Sequence, residues 1–162
     1  MKIEHIAIWV KDIDKVCEFY QKYLGGVVHP LYHNPTKQFT SRFITFDEGA
    51  RLEVMHRPDI DSNVWTVTKL QSNTHQSAIE KNASIFSLSD LGCVSRETMP
   101  DTQHLGFTHL SFSVGSKEEV DRLTQQMSSE GIPVVGQPRT TGDGYYESVV
   151  LDPEGNRIEI TI

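Results

Sequence analysis

The sequence predicts an α+β fold built from two tandem βαβββ modules that form concave mixed sheets. Three observations predict it. A strand-and-helix pattern occurs twice, a terminal strand motif occurs twice, and one His and one Glu recur at nearly equal spacing in each half. We predict a single domain, with a first module at 1–58, a connecting insertion at 59–104 and a second module at 105–162.

In the strand that opens each module, larger apolar residues alternate with smaller or polar ones. In residues 3–24 and 107–127 an alternating segment is followed by a capping residue and then by helical spacing. The two histidines hold the same place in this alternation, on the face opposite the larger apolar residues. On the histidine faces we expect His5, Ala7 and Trp9 in the first copy, and His109, Ser111 and Ser113 in the second.

Each opening strand leads into a predicted helix. Asp12 or Asp14 can cap the first helix, which ends before Gly25. Ser116 followed three residues later by Glu119 is a capping-box pattern for the second helix, which Gly131 ends. The sequence therefore predicts one amphipathic helix per module.

Three further strands are predicted in each module. They lie near 26–32, 40–47 and 50–57, and near 132–137, 145–151 and 156–162. Turn residues at 47–49 and 152–156 connect the last two strands of each half. Within the long insertion, a segment near 76–91 has helical character.

The last strands of the two modules match each other, with their glutamates aligned. His5 precedes Glu53 by 48 residues, and His109 precedes Glu159 by 50. Two modules placed side by side would direct these four side chains towards a central metal site. A single inward histidine is more often a hydrogen-bonded core residue, but four such residues repeated in register favour a shared site.

Two imidazoles and two carboxylates suit one divalent transition metal per site: Zn, Ni, Co, Mn or Fe. The two cysteines, Cys17 and Cys93, are too few and too far apart for a disulfide framework or a thiolate metal site. The sequence leaves open whether the four ligands come from one chain or from two, because repeated modules can pair either way.

The composition limits the possible partners. The 162 residues are 37% hydrophobic and 23% charged, as in globular proteins, and the net charge of −7 argues against a nucleic-acid partner. No apolar stretch approaches the length of a membrane span, so no membrane partner is expected. The N-terminal apolar run is too short and too charged for a signal peptide, and we expect a cytoplasmic protein.

A Gly-rich segment at 139–147 does not open a helix, so it is not a phosphate-binding loop. It is either a flexible connection or a lip over the cavity, in which Arg139 or Tyr146 contacts an anionic or polar substrate. Trp9 and Phe107 share faces with the histidines and are predicted to bind substrate, the alternative being a place in the core.

Two segments, HIAIWVKDIDKVCEFYQKYLG and GDGYYESVVLDPEGNRIEI, resemble the vicinal oxygen chelate superfamily. This superfamily includes glyoxalase I, epimerases, extradiol dioxygenases and bleomycin-resistance proteins. The ligand set His5, Glu53, His109 and Glu159 is similar to that of glyoxalase I. The resemblance implies a homodimeric, lactoylglutathione lyase-like metalloenzyme. Its substrate would be a small 2-oxo or 2-hydroxycarbonyl compound, or the thiol hemithioacetal of one.

The resemblance also implies catalytic roles for both glutamates. Glu159 would remove the carbon proton to give a metal-stabilised enediolate, and Glu53 would return the proton or remain a ligand. Glyoxalase I enzymes that use glutathione usually carry Arg four residues after the first histidine, where this chain has Trp9. The alternative functions are an Fe(II) dioxygenase, an epimerase, or a non-catalytic binding or resistance protein of the same fold.

Overall fold

The computed structural model describes residues 1–60 and 106–162. The helix expected near 76–91 and most of the predicted insertion lie outside the described residues. Both described segments belong to one compact unit. Within them, no helix is long and apolar enough to cross a membrane.

The first module contains one helix and five short strands. The helix begins after Asp12, whose side chain accepts a hydrogen bond from the Lys15 N–H, and it ends at Gly25 in the left-handed region (φ 66°). In chain order the elements are β1 (His5–Trp9), α1 (Ile13–Leu24), β2 (Val27–Val28), β3 (Tyr32–Asn34), β4 (Phe39–Thr45) and β5 (Arg51–His56).

The second module repeats this plan with one helix and four strands. Ser116 caps the helix by accepting from the Glu119 N–H, as the sequence predicted, and Gly131 follows its end with φ 83°. The elements are β6 (Leu110–Ser113), α2 (Lys117–Ser129), β7 (Val134–Thr140), β8 (Tyr146–Leu151) and β9 (Arg157–Thr161).

Each module forms a mixed sheet of the same topology. The strand orders are β1-β5-β4-β2, with β3 also paired to β4, and β6-β9-β8-β7. In both sheets the first strand lies at an edge and pairs in parallel with the last strand, while the other pairs are antiparallel. The predicted α+β architecture with two repeated modules is confirmed.

Two predicted strand boundaries were wrong, and proline is involved in both. The strand expected at 26–32 is two short strands with Pro30 between them, because proline has no N–H to donate to the ladder. The strand expected to end at 137 continues to Thr140, because an irregularity in the β7–β8 register between Gly136 and Arg139 accommodates Pro138.

The helix-facing sides of both sheets contribute to one core. Phe112 on β6 packs against first-module aromatic rings, with centroids 5.0 Å from Phe46 and 6.0 Å from Tyr20. Buried core residues from both modules include Val16, Tyr20, Ile44 and Val54 in the first, and Val120, Met127, Ile158 and Ile160 in the second. The other side of each sheet, which carries the histidine, faces away from this core.

Polar contacts also join the modules. The backbone N–H groups of Lys11 and Asp12 donate to the Glu154 carboxylate at 2.9 and 3.1 Å. On α1, the Tyr20 hydroxyl donates to buried Asp152 at 3.4 Å. These bonds tie the first module to the turn between β8 and β9.

Candidate metal centre

His5 is the first residue of β1 and His109 immediately precedes β6, and each ring is directed towards the glutamate of its own module. The His5 Nε2 atom is 3.9 Å from Glu53 Oε2, and the His109 Nε2 atom is 3.4 Å from Glu159 Oε2. The parallel pairing of first and last strands produces these contacts, because it sets the two strands side by side with His and Glu on the same face. The structure therefore forms two His–Glu pairs.

The other ring nitrogen of each histidine is held by the preceding residue. Glu4 contacts His5 Nδ1, and the Thr108 hydroxyl lies 3.1 Å from His109 Nδ1. An Nδ1–H that donates to these oxygens leaves Nε2 unprotonated, which is the form that binds a metal. Sequence reasoning missed Glu4 and Thr108, although both immediately precede a predicted ligand.

The two pairs do not meet within one chain. Among residues 1–60 and 106–162, no group of three or more His, Cys, Asp or Glu side chains is arranged to hold a metal ion. Within the described residues the four predicted ligands form two separate pairs, and a shared four-ligand centre stays a prediction. The helix-facing sides of both sheets contribute to the shared core, and the ligand face of each sheet is the side that this core does not cover.

Each pair nevertheless fits part of a metal coordination sphere. Two donor atoms about 2.1 Å from one ion are about 3.0–3.4 Å apart at the usual coordination angles. The second-module pair matches this spacing, and the first-module pair is slightly wider. Both glutamate side chains are 16% exposed and both histidines about 40%, so each pair is accessible from outside its own chain.

The second-module glutamate has further polar neighbours. The Ser111 hydroxyl donates to Glu159 Oε1 at 2.6 Å from the adjacent position on β6. Glu147 on β8 lies close enough to Glu159 for the two carboxyl groups to interact electrostatically, and Arg139 donates to Glu147 at 2.9 Å. Sequence reasoning missed the roles of Ser111 and Glu147, although the alternation of β6 and β8 puts both on the ligand face.

The electrostatics differ between the carboxyl groups around the pairs. Burial raises the pKa of Glu147, and the adjacent Glu159 carboxylate raises it further, while Arg139 opposes both effects. At the other pair, the hydrogen bond to His5 is the main cause that lowers the pKa of exposed Glu4, assisted by Arg51. A second carboxyl group thus lies beside each His–Glu pair. The pKa of Glu4 is lowered beside the first pair, and the pKa of Glu147 is raised beside the second.

Of the predicted substrate-binding residues, Trp9 lies on the ligand face of the first sheet. It pairs in register with Met55, two pairs beyond Ala7 and Glu53 and therefore on the same face. Its ring lies 5.3 Å from the Arg57 guanidinium and helps to line a cavity of about 650 Å³. Other residues at this cavity include Lys37, Phe39, Met55 and Arg57.

The remaining predicted contact residues have different surroundings. Phe107 is 96% exposed, two residues before His109. Arg139 lies beside the second pair, through Glu147. Tyr146 lies on the helix side of β8, where its hydroxyl donates to Asp121 at 2.7 Å, so it does not face the site. The adjacent residue Glu147 does, because neighbouring strand residues point to opposite faces.

Comparison with known families gives a match along most of the chain. Residues 2–160 match the model of the Glyoxalase/Bleomycin resistance protein/Dioxygenase superfamily. A curated relative, the uncharacterised protein YqjT of Bacillus subtilis, is 32% identical over 59 residues, which are 35% of this chain. The aligned segment spans 46% of that relative's length.

Solved structures share the fold at low sequence identity. A glyoxalase family protein from Enterococcus faecalis is 19% identical with a TM-score of 0.63, over 99% of this chain and 97% of that one. Glyoxalase I from Zea mays is 16% identical with a TM-score of 0.63, over 99% of this chain and 44% of that one. At these identities the likeness shows the fold alone.

Proposed function

The chain belongs to the glyoxalase/bleomycin resistance protein/dioxygenase superfamily, and we propose that it is a metal-dependent lyase or isomerase of the glyoxalase type. The observation that carries the proposal is the repeated His–Glu pair, with the same orientation and the same exposure in both modules. Such a repeat gives a two-histidine, two-carboxylate ligand set for one divalent transition metal.

The complete site is proposed to form between two copies of the chain. Each ligand face is open, and each first strand is a sheet edge whose backbone groups can approach another chain. His5 and Glu53 of one copy would face His109 and Glu159 of the second copy, and the two-fold symmetry of a dimer would create two equivalent sites. This arrangement supplies the four ligands that one chain keeps apart.

The proposed reaction moves a proton between adjacent carbons of a 2-hydroxycarbonyl compound, such as a thiol hemithioacetal. A glutamate takes the proton from the carbon that bears the hydroxyl, and the C–H electron pair forms the carbon–carbon double bond of an enediolate. Returning the proton to the former carbonyl carbon, with transfer of the hydroxyl proton to the oxygen on that carbon, leaves a carbonyl at the first carbon. A bound divalent cation would stabilise the negative charge on oxygen during these steps.

The first-module face suggests where the rest of the substrate lies. The cavity lined by Trp9, Phe39 and Met55 begins two register pairs from Glu53, and Lys37 and Arg57 also line it. It suits a substrate whose non-reacting part is apolar with a polar or anionic end. Since Trp9 occupies the place of the arginine usual in glutathione-dependent enzymes, the proposal does not require glutathione as the thiol.

Elemental analysis of the purified protein tests the metal requirement. We expect near-stoichiometric transition metal, lost when both His5 and Glu159 are changed to Ala. The matched control is His29→Ala, since His29 bonds to Thr45 away from both pairs. No metal under any loading condition would contradict the proposal and favour a metal-independent binding protein.

Turnover tests the reaction class. The metal-loaded protein is expected to isomerise the adduct of methylglyoxal with at least one small thiol, and the double variant His5→Ala, Glu159→Ala is expected to be inactive. Metal binding without turnover of any thiol adduct would rule out the glyoxalase type, and assays for epimerase and dioxygenase activity would then follow.

A further inference from the structure

The two glutamates of the repeat have unequal surroundings. Glu159 pairs in register with Ser111, and Glu53 pairs at the same place with Ala7. Their direct partners on the antiparallel neighbour strand also differ, since Val149 on β8 pairs with Glu159 and Phe43 on β4 pairs with Glu53. The modules therefore agree in the positions of His and Glu and differ in the side chains around the carboxylates.

Glu159 is restrained at both carboxylate oxygens. Ser111 donates to Oε1 at 2.6 Å, and Oε2 lies 3.4 Å from the ring of His109. The neighbouring Glu147 is itself held by Arg139, which donates to it at 2.9 Å. A side chain with partners on several sides loses the freedom to rotate away from its position.

Two features of β7 position Arg139 beside Glu147. A side chain added at Gly136 would place its Cβ 3.1 Å from Arg139 Nη1, so the absence of a side chain there makes room for the guanidinium. The irregular register between Gly136 and Arg139 sets Arg139 directly opposite Glu147. Adjacent strands thus bring polar side chains together in two contacts, Arg139 on β7 with Glu147 on β8, and Ser111 on β6 with Glu159 on β9.

Glu53 has no comparable support within the described residues. Its recorded polar contact there is His5 at 3.9 Å, which is beyond hydrogen-bonding distance. Its register neighbours are the methyl group of Ala7 and the ring of Phe43. This carboxylate can change rotamer without breaking a hydrogen bond to the protein.

We propose that the two glutamates have different roles: Glu53 is the carboxylate that moves to the substrate and transfers the proton, and Ser111 is a positioning residue that fixes Glu159 as a stationary ligand. The inference rests on the proposed function. It assigns the proton transfer to the glutamate of the first module, whereas the family resemblance assigned it to Glu159. Glu53 takes the proton from the hydroxyl-bearing carbon and delivers the same proton to the adjacent carbon.

A mirrored pair of substitutions tests the role of the serine. Ser111→Ala is expected to weaken metal binding about tenfold, a typical effect of removing a group that orients a ligand. Ala7→Ser offers Glu53 the hydrogen bond that Glu159 has, and it is expected to lower kcat about tenfold without weakening metal binding. Ser111→Thr keeps the hydroxyl and should restore the metal affinity.

The matched control is Ser113→Ala. It makes the same change two register pairs along β6, opposite Thr161 rather than a glutamate, and should alter neither quantity. Glu53→Gln is expected to retain metal while kcat falls at least a hundredfold, within the range for loss of a general base. If Ser111→Ala lowered kcat with unchanged metal affinity and Ala7→Ser had no effect, Glu159 would be the moving carboxylate.

An NMR measurement separates this inference from the proposed function. In the full-length protein without metal, relaxation of the glutamate side-chain methylene groups should show Glu159 more restricted than Glu53. Ser111→Ala should lower the order of Glu159, and Ser113→Ala should not. Equal order at both glutamates would overturn the inference whether or not the protein binds metal, while absence of metal binding or turnover would overturn the proposed function.

Discussion

Gly26 lies between α1 and β2, where the chain packs closely against the first sheet. A Cβ at this position would lie 2.5 Å from Ile44 Cγ2 and 3.2 Å from the carbonyl oxygen of Tyr20. Ile44 and Tyr20 are both fully buried, so neither can move freely. The absence of a side chain at Gly26 therefore lets α1 approach the sheet.

Gly26→Ala is expected to lower the free energy of unfolding by about 1–3 kcal/mol, the usual cost of overpacking a core. Chemical denaturation measures the change. Gly142→Ala is the control, because an added Cβ there meets nothing within 4 Å, and its effect should stay within about 0.5 kcal/mol. Equal effects of the two substitutions would show that the contact at Ile44 is relieved without cost.

The positions of the His–Glu pairs could be predicted from the sequence because they repeat with the strand alternation. The support around Glu159 could not. Ser111 is also a common residue on a half-exposed strand, and its partner depends on the exact register of β6 with β9. The approach of Arg139 to Glu147 depends on the irregular register of β7, which a two-residue alternation does not anticipate.

At the scale of elements, Glu130 connects the ends of the two helices. It follows the last residue of α2, and its carboxylate accepts hydrogen bonds from Lys22 and Tyr23 near the end of α1. The bond from Lys22, followed by those from Tyr23 and Gln126, lowers the pKa of Glu130 from an ordinary 4.5 to about 2. The ionised form is thus favoured in the folded protein.

This pKa shift predicts an acid-sensitive contribution to stability. Because the folded-state pKa is depressed, the contribution is fully present above about pH 4.5 and is lost as the pH falls towards about 2. Glu130→Gln should reduce the change in unfolding free energy across this interval, and denaturation at several pH values measures it. Glu18→Gln, at an exposed site on α1, is the control. A pH dependence unchanged by Glu130→Gln would contradict the assignment.

The helices were predictable as elements because their end signals are local. Asp12 and Ser116 each accept a hydrogen bond from an N–H three residues later, a contact encoded within one turn of chain. The division of the predicted 26–32 strand depends on its pairing with β4, which is not local. Strand boundaries were therefore harder to predict from the sequence than helix boundaries.

At the scale of the molecule, the edge strands present exposed apolar side chains at equivalent places. Ile3 is 68% exposed and Phe107 is 96% exposed, each two residues before its module's histidine. The sequence revealed their equivalence, but it could not reveal that both would remain uncovered in one chain. That depends on how the modules pack, which the repeat alone leaves open.

The proposed dimer predicts that these two residues lie at the interface. The double substitution Ile3→Ser, Phe107→Ser should weaken self-association at least tenfold, because it removes apolar surface that the dimer would bury. Sedimentation equilibrium measures the association. Val27→Ser, Leu31→Ser is the control, since it removes exposed apolar side chains from the far side of the first sheet. Equal effects of the two double variants would contradict this placement of the interface.

The central claim is that the metal site uses the first module of one chain and the second module of another, and mixed dimers test it most directly. One parent carries His5→Ala and Glu53→Ala, and the other carries His109→Ala and Glu159→Ala. Each parent alone should bind no metal, since every site would lack two ligands. Mixed dimers, isolated through two different affinity tags, should each regain one complete site and one metal ion. Mixed dimers that form normally but remain free of metal would contradict the claim, because ligands supplied by a single chain would leave both sites incomplete.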